Sequence, residues 1–209
     1  YKDVWVYAEQ KEGVIAPVVF ELLGKGSELA SELGVELTAV LLGHNISHLC
    51  NDLIKYGADK VIFIDDHDMK DMIDHIYSNA MVELANKYKP QIILSGATVT
   101  GRSFIPRVAI ELKTGLTADC TGLEIDKSTN NLLQTRPAFG GNIMATIVTP
   151  NHLPQMATVR HKVMMPLEKD ESRTGTIIEE KLMNRAINDL VKFLETVHGT
   201  EKTINITEA

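Results

Sequence analysis

Apolar positions along the first 115 residues alternate between two rhythms. Asp3–Ala8 (DVWVYA), Glu36–Leu42, Lys60–Ile64 and Ile92–Leu94 are short continuous apolar runs, the pattern of strands covered on both faces. Between the first two, Val18, Leu22, Leu29 and Leu33 keep a 3.6-residue period from Pro17, which suits a first helical position, to Gly34. Gly24 and Gly26 inside that helix suggest close helix–sheet approach. A short helix is expected over Ile46–Tyr56, ended by Gly57. A longer one runs through Ile73, Ile76, Tyr77, Ala80, Met81, Leu84 and Tyr88, with Asp68 or Asp71 as its cap and Pro90 beyond its end. Strand and helix alternating four times predict an α/β fold: a doubly wound, mostly parallel, Rossmann-like sheet.

The fourth strand opens the stretch with the most chemistry, Gln91–Asp126. Ile92–Leu94 leads into a small-residue turn, Ser95 to Gly101, which delivers Arg102 and Arg107 onto a helix. Pro106 fits only a first helical turn, so the helix is expected to start near Arg102 and to close at Gly115. Glycine-rich turns after a parallel strand are where open α/β sheets hold ligands, because free N–H groups converge there. Gly96, Thr98, Gly101, Arg102 and Arg107 are therefore candidate cofactor-binding or interface residues. Neither phosphate-binding fingerprint is met, and ordinary turn geometry competes with a contact role. The two guanidinium groups favour the contact, with phosphate or with a protein carboxylate.

After Leu116 the rhythm changes. Ala118–Asp126, Leu132–Arg136, Asn142–Thr149 and Gln155–Arg160 read as additional β-strands, with Lys127–Asn130 as a hairpin connection. Arg136, Gly140, Gly141 and Asn142 form a second candidate group around Phe139. That group can grip a flat, phosphorylated ligand or form a bulge that docks a partner chain. Pro137 holds Arg136 extended, which is expected to place its side chain at a strand end beside the Gly140-Gly141 turn. Beyond Pro166 the chain turns polar, with one further short strand at Thr176–Ile178 and a helix or edge over Leu182–Leu194. The expected division is an α/β domain over residues 1–165 and a polar arm over 166–209. The closing TINITEA is strand-like, as at a cut domain boundary.

Composition narrows the classes. A net charge of -7 without a Lys/Arg run argues against nucleic acid. No apolar run approaches the roughly 20 residues of a membrane span, and the first residues lack a signal-peptide pattern. Cys50 and Cys120 are the only cysteines and lack metal or redox spacing, consistent with a reducing, cytoplasmic location. His44 and His48, four apart, have no third ligand beside them, so no metal is expected. The absence of a P-loop or a nucleophile–His motif weakens a hydrolase or ligase reading.

GATVTGRSFIPRVAIELKTGLTADCTGLEID together with QTRPAFGGNIMATIVTPNHLPQMATVR resembles the amino-terminal domain of the alpha subunit of electron-transfer flavoproteins, in a form closer to the bacterial anaerobic branch. The resemblance covers essentially the whole chain. It implies an adenine-nucleotide alpha-hydrolase-like fold, a beta-subunit partner, and electron transfer between acyl-CoA dehydrogenase-type flavoenzymes, as in fatty acid oxidation, and another redox partner. It implies a carrier subunit without catalytic residues. FAD would be held mainly by a second domain whose motifs this sequence lacks, so the isolated chain is expected to bind none; a homodimer, were one formed in isolation, would be a substitute for the beta subunit. The resemblance also moves Arg102 and Arg107 towards interface or structural work. A free-standing adenine-nucleotide-binding module using the 95–102 turn is the alternative.

Overall fold

In the computed structural model, residues 1–183 and 194, 195 and 197 are described. The elements expected from Leu182 to Leu194 and at TINITEA lie largely outside the described residues. The first strand, β1 (Val4–Tyr7), is followed by a short hairpin, β2 (Gln10–Lys11) and β3 (Val14–Ile15). Helix α1 (Pro17–Leu33) begins on its proline and ends with Gly34 at φ 67°, a left-handed conformation that glycine adopts without steric cost. Then come β4 (Leu37–Gly43), α2 (Cys50–Lys55), β5 (Lys60–Asp65), α3 (Asp74–Tyr88) and β6 (Ile92–Gly96). Neither Asp68 nor Asp71 caps α3, whose N-cap is Ile73; Asp66 instead accepts from the Asp68 N–H in the turn before it.

Helix α4 (Val99–Glu111) departs from expectation at both ends. It starts at Val99 and not at Arg102, because the Thr98 side chain accepts from the Gly101 N–H and supplies the cap. Pro106 therefore lies in the helix interior, where burial of Phe104, Ile105, Val108 and Ala109 outweighs one missing backbone donor. The helix stops before Gly115, with Lys113 at φ 55°.

The expected single strand Ala118–Asp126 is two: β7 (Leu116–Cys120) and β8 (Gly122–Asp126). At Thr121 the chain leaves one sheet for another. β8, β9 (Asn131–Ala138) and β10 (Ile143–Ile147) form an antiparallel sheet, and β11 (Gln155–Val159) returns to the main one. A last strand, β12 (Thr176–Glu179), adds to its far edge. The main sheet has seven strands in the order β12-β5-β4-β1-β6-β11-β7, and its pairings among the described residues are all parallel.

Alternate residues of each strand feed two cores. Val4, Val6, Leu37, Leu41 and Leu94 pack on α1 and α2, while Trp5, Tyr7, Val40, Leu42 and Ile93 pack on α3 and α4. Both faces being covered explains the continuous apolar runs. The polar segment after Pro166 is strapped along the domain. Of the two glycines in α1, Gly26 faces the sheet at Leu37 and Val6, whereas Gly24 faces this segment and not the sheet: a Cβ there would stand 2.2 Å from the Met165 carbonyl oxygen. Arg173 Nη2 donates to the Gly57 carbonyl and to Asp59, at 2.9 and 2.6 Å.

Candidate functional site

The chain leaves β1 for β4 and β5 on one side, then crosses back to β6 on the other. The crest between β1 and β6 is thus the switch point of the sheet, where loops diverge and leave a crevice. A cleft of about 840 Å³ opens there, lined among others by Tyr7, Glu9, His44, His48, Lys70 and Thr100.

The 95–102 turn forms one wall, and its groups bind each other. Thr98 Oγ1 accepts from the Gly101 N–H at 2.9 Å and donates to Glu9 Oε2 at 2.6 Å, so a carboxylate sits at the start of α4. Negative charge is favoured there by the helix dipole. Arg102 folds back: its Nε donates to the Ala97 carbonyl at 2.9 Å, and Nη2 lies 2.8 Å from Asp119 Oδ1 as an ion pair without an aligned hydrogen bond. Asp119 has φ 62° and sits where the register of β7 against β11 shifts, a bulge that aims its carboxylate at the helix. Of the two partners open to Arg102, the observed one is a carboxylate of its own chain.

The glycines serve packing. A Cβ on Gly101 would lie 2.0 Å from the Gly96 carbonyl oxygen, and one on Gly96 would lie 2.8 Å from Val18. Arg107 is exposed on α4. His44 contacts Asp65, Asn45 and the His67 ring. Among the described residues no group of three His, Cys, Asp or Glu side chains is arranged to hold a metal ion.

The second candidate group caps the β9–β10 hairpin. Phe139, Gly140 and Gly141 have φ of 47°, 68° and 92°, so three successive left-handed residues turn the tip, and two are glycine. Gly140, Gly141 and Asn142 are exposed, and Phe139 is 82% exposed. Arg136 does not stand at a strand end: it lies inside β9 opposite Ala145, half-buried. Burial pushes the Cys120 thiol up to about 11, and the Arg136 charge pulls it partly back. Asp119 pairs with Arg102, and its neighbour Cys120 feels the charge of Arg136. On β9 Gln134 is fully buried with neither amide atom hydrogen-bonded.

Glu9 and Asp119 were not among the sequence candidates. Nothing local marks them, since Glu9 is 89 residues from the threonine it binds. Ile143, Met144, Ile147 and Val148 are all exposed, so β10 has no covered face.

The sequence of the electron transfer flavoprotein domain family matches residues 4–183. The electron transfer flavoprotein subunit alpha of Thermoanaerobacterium thermosaccharolyticum is 46% identical over 209 residues, all of this chain and 63% of that protein. The subunit of the same name from Clostridium acetobutylicum is 50% identical over 182 residues, 87% of this chain and 54% of that protein. The lactate dehydrogenase (NAD(+),ferredoxin) subunit LctC of Acetobacterium woodii is 43% identical over all of this chain and 50% of its own length. This chain thus spans about half to three fifths of the length of these relatives.

Proposed function

The chain belongs to the electron transfer flavoprotein family, and from that premise we propose that it is the alpha-subunit domain that docks the beta subunit and scaffolds electron transfer. The observation that carries this is β10 with its tip. A strand with one buried face would alternate, whereas Phe139, Ile143, Met144, Ile147 and Val148 are exposed together. Exposed apolar side chains on both faces of an edge strand fit the apolar core of a subunit interface. Gly96, Thr98, Gly101 and Arg102 hold the crest together. Arg107, Arg136, Gly140, Gly141 and Asn142 remain the candidates for contact with the beta subunit or its flavin.

On this reading FAD belongs to the assembled alpha-beta protein and is held mainly outside this chain, which purifies colourless. Residues 1–165 act as the α/β domain and 166–209 as the arm, of which the segment through Glu180 is strapped to it. Acyl-CoA dehydrogenase-type flavoenzymes are the proposed electron donors and the cytoplasm the location. Co-expression with the beta subunit tests the docking: Ile143→Asp combined with Met144→Asp abolishes co-purification of a folded chain. Retained binding by that variant overturns the reading. In the assembled protein, Arg136→Ala shifts the flavin potential or weakens assembly; no change in either removes Arg136 from the site.

The alternative, a free-standing adenine-nucleotide module on the 95–102 turn, is favoured by the switch-point cleft alone. The Glu9 carboxylate at the start of α4 disfavours it, because a phosphate there would meet a fixed negative charge.

A further inference from the structure

β10 offers a partner more than its side chains. We infer that the beta subunit adds a strand to its open edge, so that the contact is a shared sheet and not only an apolar face. This rests on the docking reading above and specifies how the contact is made.

Edge strands carry unpaired backbone groups, and proteins defend them with charges, prolines, bulges or shortness. Among the described residues the outermost strands of the two larger sheets are β7, β12, β8 and β10. β7 carries Asp119 where its register against β11 shifts, β8 carries Glu124 and Asp126, and β12 ends on Glu179. β10 (IMATI) runs for five residues without a charge or a proline, in unbroken register with β9. Of the four edges it is the undefended one.

The register shows which groups face outward. Pro137 has no N–H and lies opposite Met144, as suits a pair that exchanges no backbone hydrogen bonds. The Thr135 carbonyl accepts from the Thr121 N–H on the β8 side of β9, and so points away from Thr146 opposite it. The Thr135 and Thr146 hydroxyls lie 2.9 Å apart, the close side-chain approach of such a pair. The N–H and C=O groups of Met144 and Thr146 therefore point away from β9, into the open edge. Ile143 and Ile147 project from one face of the strand and Met144 from the other, all exposed. A partner that covers these side chains also takes the outward backbone groups from water, which is costly unless they are paired. A strand laid alongside pairs them and packs both faces, whereas a helix has spent its own backbone groups internally. The added strand is then uncharged and apolar on both faces. A second copy of this chain is disfavoured as its source, since each copy brings a net charge of -7 to the contact.

Hydrogen exchange, read residue by residue in the 209-residue chain and in its complex with the beta subunit, tests this. The Met144 and Thr146 amides exchange readily in the free chain and at least about a hundredfold more slowly in the complex. Met144→Pro removes one outward N–H and leaves the ladder to β9 intact, so the chain folds but associates about tenfold more weakly. Met144→Leu keeps the affinity within about threefold. A complex in which both amides exchange as in the free chain, or Met144→Pro binding as tightly as Met144→Leu, overturns the shared strand and leaves docking standing. Absence of any complex overturns the docking reading, and the shared strand with it. Slowed exchange in a dimer of the chain alone assigns the edge to a second copy and overturns the choice of partner.

Discussion

The crest turn and the hairpin tip are both glycine-bearing turns with an arginine nearby, yet their polar and apolar groups are used in opposite ways. At the crest the turn is closed on itself: Thr98 binds Gly101 and Glu9, and Arg102 binds Ala97 and Asp119. At the tip the backbone turns through three left-handed residues and the side chains face outward, with nothing within 4 Å of a Cβ built on Gly140 or Gly141. Glycine at the crest answers a steric demand from packing. Glycine at the tip answers a backbone conformation and leaves the surface open. Similar turn composition thus marks an internal joint in one place and an interface in the other.

The largest effect separating them is expected at Gly101. A methyl group placed 2.0 Å from the Gly96 carbonyl forces α4 away from β6, so Gly101→Ala costs about 2–3 kcal/mol in denaturant unfolding. A loss under about 0.5 kcal/mol would mean that the helix start is loosely held. In the β9–β10 hairpin the sign of the experiment reverses. Ile143→Asp with Met144→Asp leaves the unfolding free energy within about 0.5 kcal/mol, but weakens association with the beta subunit by about 2 kcal/mol or more. Large destabilisation of the isolated chain would show that β10 is part of the core.

Smaller effects sharpen the picture of the crest. Thr98→Ala removes the cap of α4 and costs about 1 kcal/mol, with Thr98→Ser recovering most of it in thermal unfolding. Arg102→Ala costs less than about 1 kcal/mol, because the guanidinium is more than half exposed in its pair with Asp119. The smallest effect is a pH dependence at the sheet edge. Glu180 follows β12 and is bonded to Lys87 Nζ at 2.6 Å and to the Tyr88 hydroxyl, which hold its carboxyl below the ordinary value. A depressed carboxylate contributes stability above its unfolded value, near about 4.3, and loses it as pH falls towards the folded one. Hydrogen exchange of the β12 amides should therefore accelerate below about pH 4.3 while β1 and β4 stay protected; uniform protection would free Glu180 of that role.

What could be read from sequence followed local causes. Pro17 and Gly34 bounded α1, the apolar runs gave the first four long strands, and Lys127–Asn130 gave the β8–β9 turn, because period, capping and turn chemistry act over a few residues. The crest turn showed in its strand-to-helix grammar and the hairpin tip in its paired glycines. Pro106 misled, since a local rule placed it in a first turn and a buried face held it in mid-helix. The break at Thr121 was hidden because two adjoining strands in different sheets have the same apolar texture as one.

Only the tertiary structure decided who meets whom. It inserted β11 between β6 and β7, brought Glu9 to Thr98 and Asp119 to Arg102, and laid β12 on β5. These contacts join residues up to 116 positions apart. The cost of closing such loops grows only slowly with length, so spacing along the chain carries almost no information about them. Sheet order and burial select the partners, and neither is written in any short stretch of sequence.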